Sequence, residues 1–271
     1  MGEHIAFIGG GNMASAMISG LLGQGFPVNQ IDVVEPHAET RDRLKSQFGL
    51  QAETVAGPFL ARATIVIWAV KPQSFKEASL LVGSHTRNAL HLSVAAGIPS
   101  GSIAQWLGNE RVIRTMPNTP ALIGKGITGL FARAGVTEPD RHQAERIVSG
   151  MGRFLWLKTE DQLNAVTAIS GSGPAYMFYF MEAMTAAGTE MGLAREQAYQ
   201  LAVATFIGAG ELAQASHEPP EILRQRVTSK GGTTYAAITS MDESHIKDLF
   251  ARALHAAHQR SQEMGAEFGK A

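Results

Sequence analysis

The hydrophobic positions of the chain change rhythm near residue 160. Before it, short β-rich apolar runs at 5–8, 31–34, 64–70, 90–94 and 112–113 alternate with amphipathic stretches at 13–22, 38–48, 73–81 and 103–107. Strands alternating with helices of this length predict crossover units on a parallel sheet covered on both faces. Two further β-rich stretches, 126–131 and 154–157, flank a helical pattern at 140–149. The expected fold class is therefore α/β, a Rossmann-type doubly wound parallel sheet, occupying residues 1–160.

After Thr159 the strand pattern stops. Residues 161–169, 174–191, 195–215, 220–227 and 244–267 read as helices, punctuated by Gly171-Ser172-Gly173-Pro174, Gly192, Pro219-Pro220 and Gly231-Gly232. Residues 161–271 are thus expected to form an all-α domain. Tyr176, Phe178, Tyr179, Phe180, Met181 and Met184 make one of its helices apolar around most of its circumference. Such a helix is buried on several sides. A domain this small hardly encloses it alone, so self-association through the helical domain is expected, the alternative being a central helix in a monomer. Asp242-Glu243 reads as a cap on the last helix.

Composition narrows the function classes. The chain has 271 residues, with 23 Lys+Arg against 24 Asp+Glu, a formal net charge of -1. That balance offers no electrostatic footprint for nucleic acid or an acidic membrane surface. Without cysteine there is no disulfide framework, thiolate metal site or cysteine nucleophile. His255 and His258 stand at a possible ligand spacing but lack an evident third ligand, so no metal is expected. Residues 1–4 carry no basic segment ahead of an apolar stretch, and the tight apolar run at 64–70 is far short of a membrane span. A cytoplasmic protein acting on a small molecule is the expectation. Glycine is in surplus: 29 residues, where average usage gives about 19.

Part of that surplus forms a motif. The strand at 5–8 ends at Ile8 and runs into Gly9-Gly10-Gly11-Asn12-Met13-Ala14, then a helix. This is a G-x-G-x-x-A dinucleotide loop: Gly9 for the tight turn, Gly11 for backbone approach to a pyrophosphate, Ala14 for close helix–strand packing. The N–H groups at the helix start, with Asn12 and Met13, face the phosphates. Glu35 ends the second strand, where an acid suits a ribose 2′-OH and favours NAD over NADP. His37, Arg41 and Arg43 follow closely, and a rotated Glu35 would leave room for a 2′-phosphate, so the cofactor is read as NADPH or NADH. Ala69-Val70-Lys71-Pro72-Gln73 and Ser93-Val94-Ala95-Ala96-Gly97 leave later strand ends, where ligands sit in open parallel sheets. Lys71 suits ribose or phosphate, and the small residues Ala95 to Gly97 admit a flat ring.

Three more segments complete a pattern: Arg114-Thr115-Met116-Pro117-Asn118-Thr119-Pro120, Ser170-Gly171-Ser172-Gly173-Pro174-Ala175-Tyr176 and Val227-Thr228-Ser229-Lys230-Gly231-Gly232-Thr233-Thr234. In this order and spacing the chain resembles pyrroline-5-carboxylate reductases over nearly its whole length. The resemblance implies NAD(P)H-dependent reduction of 1-pyrroline-5-carboxylate to L-proline, the last step of proline biosynthesis. It further implies a helical dimerisation domain, with active sites built at the dimer interface. The family usually has proline where this chain has Lys230, which places a cation near a carboxylate site.

Bare glycines and hydroxyls opening the helical stretch 234–239 form an anion site by the same physics as the phosphate loop. The substrate carboxylate is assigned to Ser229 and the N–H groups of Gly232, Thr233 and Thr234. By family resemblance, the Thr234 hydroxyl meets the ring nitrogen and is the catalytic candidate. Two rival readings remain, a β-hydroxyacid dehydrogenase-like oxidoreductase and a non-catalytic NAD(P)-sensing protein. The first places a lysine on the helix after the glycine pair, where this chain has Met177, which cannot serve as acid or base. The presence of Ser229 and Thr234 argues against the second.

Overall fold

The computed structural model describes residues 3–269. They fall into two compact units, one running to Ser172 and taken up again from Ala257, the other spanning Gly173–Ala256.

The first unit is built on a seven-stranded sheet in the order β2-β1-β3-β4-β5-β6-β7. The strands are β1 (Ile5–Ile8), β2 (Ile31–Val34), β3 (Ile65–Trp68), β4 (Leu90–Ser93), β5 (Val112–Met116), β6 (Gly126–Ala132) and β7 (Gly152–Trp156). Side chains alternate across the pleat. Ile5, Phe7, Ile31, Val33, Ile65 and Ile67 join one core with Ala14, Met17, Ile18 and Leu21 of α1 (Asn12–Gly23), Leu44 of α2 (Ala38–Phe48) and, farther along the chain, Ile147 and Val148. Ala6, Ile8, Val34, Val66 and Trp68 join the other with Phe75 of α3 (Pro72–Val82) and Ile103 and Leu107 of α4 (Ser100–Leu107). The four-residue strands β1 to β4 are buried at every position, as expected where helices cover both faces.

The expected parallel sheet has one departure: β6 runs antiparallel to β5. Residues 117–125 between them hold only a 3-10 turn, and a parallel neighbour needs a crossover of about a dozen residues or more. The crossover returns with α5 (Glu138–Ser149), whose Thr137–Asp140 capping box fixes its start, and β7 pairs parallel to β6. The run expected at 64–70 is a shorter strand, because Ala69 to Lys71 leave the ladder to form the turn into α3.

The helix expected at 161–169 is α6 (Gln162–Val166) followed by a π turn, Thr167–Gly171. The second unit holds α7 (Gly173–Glu190), α8 (Arg195–Ala215), α9 (Pro220–Arg226) and α10 (Thr233–Glu243), together with the first part of α11 (Ile246–Phe268). Asp242 and Glu243 close α10 rather than capping α11: the His245 N–H donates to the Asp242 carbonyl, and His245 has φ +52°. In α7, Tyr176 and Phe180 stack edge-on against Phe250, while Phe178 and Tyr179 remain 59% and 70% exposed.

One buried polar pair makes the core sensitive to acid. Trp68 Nε1 donates to His91 Nδ1 at 3.1 Å, on adjacent strands, and burial lowers the His91 pKa to about 4. The unfolded chain takes up this proton near pH 6.5, before the folded one does. The contribution of His91 is complete above pH 6.5 and is lost as pH falls toward 4, by about 3 kcal/mol in total. The urea midpoint is expected to drop across this window, and more steeply in the wild type than in His91→Phe, even though that variant starts lower because Trp68 loses its acceptor.

Candidate functional site

Strands β1 and β3 are neighbours, and the chain leaves them at the same sheet edge toward opposite faces. This is the switch point of the topology, where ligands sit in open α/β sheets. The structure brings Gly9 to Met13, Glu35, Ala69 to Pro72 and Ala95 to Gly97 together along this edge, as the C-terminal extensions of β1, β2, β3 and β4.

Gly9 has φ +94°, and a Cβ there would lie 2.5 Å from the Ala69 carbonyl oxygen. Both the turn and the approach of the two loops therefore exclude any side chain. Gly10 packs against Leu44, so a Cβ would meet that side chain at 2.6 Å. A Cβ on Gly11 would meet nothing within 4 Å. Gly11 is the N-cap of α1 in extended geometry, and no side chain caps the helix. The first turn thus presents backbone donors and the positive dipole end to a space kept clear by a residue without a side chain. Such a helix start fits an anionic group such as a phosphate.

Glu35 is buried, with Oε2 accepting from the Gly10 N–H and Oε1 from the His37 N–H, both at 2.8 Å. The carboxylate is turned into the chain, tying the glycine loop to the start of α2. Two cations stand around it. Arg41 donates to the carbonyls of Glu35 and Pro36, at 3.0 and 2.6 Å, and Arg43 Nη2 donates to the Gly10 carbonyl at 3.2 Å. Sequence spacing alone could not show this arrangement, since it depends on how α2 packs on Gly10.

On the β3 side, the Ala69 N–H donates to the Ile8 carbonyl at 2.8 Å, and exposed Lys71 is the N-cap of α3, with Pro72 in the first turn. On the β4 side, the Val94 N–H donates to the Trp68 carbonyl and the Ala95 N–H to Ser93 Oγ. Gly97 has φ +77° and packs beneath Met264 and Phe268 of α11, contacts that the sequence reading did not foresee.

Ser229 to Thr234 lie in the second unit. The Gly232 N–H donates to the Ser229 carbonyl at 3.0 Å and closes the turn, so this N–H is engaged within the chain. Gly232 is the N-cap of α10, again without a side-chain cap. A Cβ on Gly232 would lie 2.7 Å from Ser229 Oγ, which places that hydroxyl beside the helix start. Of the groups that the sequence assigns to an anion, Ser229 Oγ and the N–H groups of Thr233 and Thr234 stand at this helix start. Lys230 is exposed.

Among the described residues no group of three or more His, Asp or Glu could hold a metal ion, and no helix is long and apolar enough to cross a membrane.

Comparison with known proteins covers both units. The family model for pyrroline-5-carboxylate reductase dimerisation matches residues 160–264, and that for coenzyme F420-dependent NADP oxidoreductase matches residues 4–97. A pyrroline-5-carboxylate reductase of Pseudomonas aeruginosa is 45% identical over 269 residues, 98% of each chain. One from Arabidopsis thaliana is 35% identical, covering 96% of this chain and 95% of that one. Among solved structures, a pyrroline-5-carboxylate reductase from Coxiella burnetii superposes with a TM-score of 0.91 at 36% identity, covering 97% of this chain and 98% of that one. A pyrroline carboxylate reductase from Plasmodium falciparum, solved with NADP bound, gives 0.85 at 27% identity, with the same coverage.

The glycine loop gives a direct test. Gly9→Ala adds a methyl at a backbone carbonyl and a left-handed φ, each costing about 1–2 kcal/mol or more. Calorimetric titration is expected to show dinucleotide affinity reduced roughly tenfold or more. Gly11→Ala keeps the free fold intact, with an unchanged thermal midpoint, yet weakens the dinucleotide by obstructing the helix start.

Proposed function

The chain belongs to the pyrroline-5-carboxylate reductase family, and from this premise we propose how its own residues carry the reaction. The activity is NAD(P)H-dependent reduction of 1-pyrroline-5-carboxylate to L-proline. The observation that carries the residue assignment is the pair of uncapped helix starts, at Gly11 and Gly232, each fronted by residues without obstructing side chains.

Gly9, Gly10 and Gly11 with the N–H groups of Asn12 and Met13 hold the pyrophosphate, with Ile8 as the strand end beneath them. Ala69, Val70, Lys71 and Pro72 line the ribose of the nicotinamide half, and the turn through Ala95 to Gly97 flanks its ring. The bound dinucleotide supplies a hydride to the imine carbon. The substrate needs a carboxylate anchor and a proton on nitrogen. Ser229 Oγ and the Thr233 and Thr234 N–H groups take the carboxylate; Gly232 shapes their turn rather than donating to it. The Thr234 hydroxyl faces the ring nitrogen and orients the iminium, which already carries the positive charge that hydride neutralises. The nitrogen keeps its proton as the C=N double bond becomes a single bond.

The donor is NADPH. With both Glu35 oxygens engaged by backbone N–H groups, Arg41 and Arg43 supply the charge at this end of the site, which suits a 2′-phosphate. The likeness to an NADP oxidoreductase family and to a reductase solved with NADP supports the same reading. The protein associates with itself through the second unit, where Phe178, Tyr179, Tyr199 and Leu212 are 56% exposed or more in the single chain. The biosynthetic reaction supports a location in the cytoplasm.

Absorbance at 340 nm tests these roles. Thr234→Ala is expected to lower kcat by roughly tenfold or more, the value of one hydrogen bond to a charged group, with dinucleotide affinity unchanged. Ser229→Ala is expected to raise KM for the imine. The wild type is expected to favour NADPH, and the Arg41→Ala, Arg43→Ala double variant to lose that preference through KM for NADPH alone. A wild-type preference for NADH would overturn the assignment of the donor.

A further inference from the structure

The C-terminal end of α11 belongs to the sheet unit, and it lies on the turn that follows β4. Ser261, Gly265 and Gly269 recur every four residues and form one stripe. Each meets the sheet unit. Ser261, 5% exposed, donates through Oγ to Asn164 Oδ1 at 2.8 Å. A Cβ on Gly265 would lie 3.7 Å from the Gly97 carbonyl oxygen, and one on Gly269 would lie 2.8 Å from Pro99 Cγ. Ser102 Oγ, on α4, donates to the Gly269 carbonyl at 2.9 Å. Between these small residues, Met264 and Phe268 cover Gly97, whose Cβ position is 3.0 Å from Met264 Cβ and 3.4 Å from Phe268 Cδ2. Phe268 also packs against the core that contains Ala95, Ile98, Trp68 and Phe75.

The same turn is tied from the sheet side by the Val94 N–H on Trp68 and the Ala95 N–H on Ser93 Oγ, while Thr115 Oγ1 donates to the Ser93 carbonyl. The backbone at Gly97 is left-handed and has no side chain of its own to hold it. Its position is determined by what lies against it. On one side that is the sheet, and on the other it is the end of the last helix.

We infer that Phe268, Met264 and the Gly265–Gly269 stripe are positioning residues: they clamp the Val94–Gly97 turn and so set the place of the nicotinamide half of the dinucleotide. This rests on the assignment of that turn to the nicotinamide side. Phosphate and adenosine recognition, at Gly9 to Gly11 and Arg41 and Arg43, is independent of the clamp. Loosening it therefore acts on one half of the cofactor only. Displacements of about 1 Å from remote substitutions can cost two orders of magnitude in rate, so the effect is measurable.

The test compares Phe268→Ala, Phe268→Leu and Gly265→Leu with the wild type. Calorimetry measures the affinity for NADPH and for 2′,5′-ADP, which carries the phosphorylated adenosine half without nicotinamide. Steady-state rates give kcat and KM. Phe268→Ala and Gly265→Leu are expected to lower kcat/KM for NADPH roughly tenfold or more and to leave 2′,5′-ADP affinity within about twofold. Phe268→Leu, which refills most of the space, restores most of the loss. Unchanged NADPH binding and rates in Phe268→Ala would overturn the inference. So would a parallel loss of 2′,5′-ADP affinity, which would make the contact purely structural. The binding comparison needs no imine: a wild type that bound NADPH without turning over the imine would refute the reductase roles and leave the clamp to be judged by the binding data.

Discussion

The closest contact on which the site depends is between two loops, where Gly9 comes so near the Ala69 carbonyl that a methyl would lie 2.5 Å from it. Parallel neighbours β1 and β3 deliver both loops to the same edge, and α1 and α3 then diverge to opposite faces. The approach fixes the start of α1, and with it the direction of its free N–H groups. Gly10 is held from below by Glu35 and from the side by Leu44, so the loop is constrained by three different elements. A side chain at Gly9 would separate the loops and misdirect the helix end that meets the phosphates.

Two helices of this chain offer backbone rather than side-chain charge to an anion. Both α1 and α10 begin at a glycine with no capping side chain. The net charge of -1 is compatible with ligands bearing several phosphates and a carboxylate, because helix ends and N–H groups supply the attraction locally. Side-chain charge stands nearby in Arg41 and Arg43, whose contacts with the Glu35, Pro36 and Gly10 carbonyls hold the guanidinium groups around the end of β2. On the sheet side His91, kept neutral by burial, accepts from Trp68 on the strand that leads to Ala69.

Much of this was legible in the residues. The loop from Gly9 to Ala14, the alternation of strands and helices, and the helical second half follow from local pattern, because each depends on residues close in sequence. What the pattern missed depends on distant packing. The short link at 117–125 forces β6 to run antiparallel, a matter of connection length rather than of apolar periodicity. Glu35 reads as a ribose ligand from its place after β2, and its contacts with the Gly10 and His37 N–H groups add a role in holding the loop that spacing does not show. Gly232 reads as an anion donor until its N–H is found on the Ser229 carbonyl. The stripe at Ser261, Gly265 and Gly269 is visible as spacing, but a small-residue stripe does not say which backbone it approaches. Gly97 reads as a cofactor residue from its place after β4, while the helix lying over it comes from a segment more than 160 residues away in the chain.

Anchoring of a substrate carboxylate at the start of α10 is tested most directly by comparing two cyclic imines. With NADPH in excess, kcat/KM is measured for 1-pyrroline-5-carboxylate and for 1-pyrroline, which has the same ring and C=N bond without the carboxylate. Two or three charge-assisted hydrogen bonds predict a ratio of roughly a hundred or more in favour of the carboxylate. Ser229→Ala, which leaves the Thr233 and Thr234 N–H groups in place, should lower that ratio by roughly tenfold. Equal values for the two imines would contradict the account.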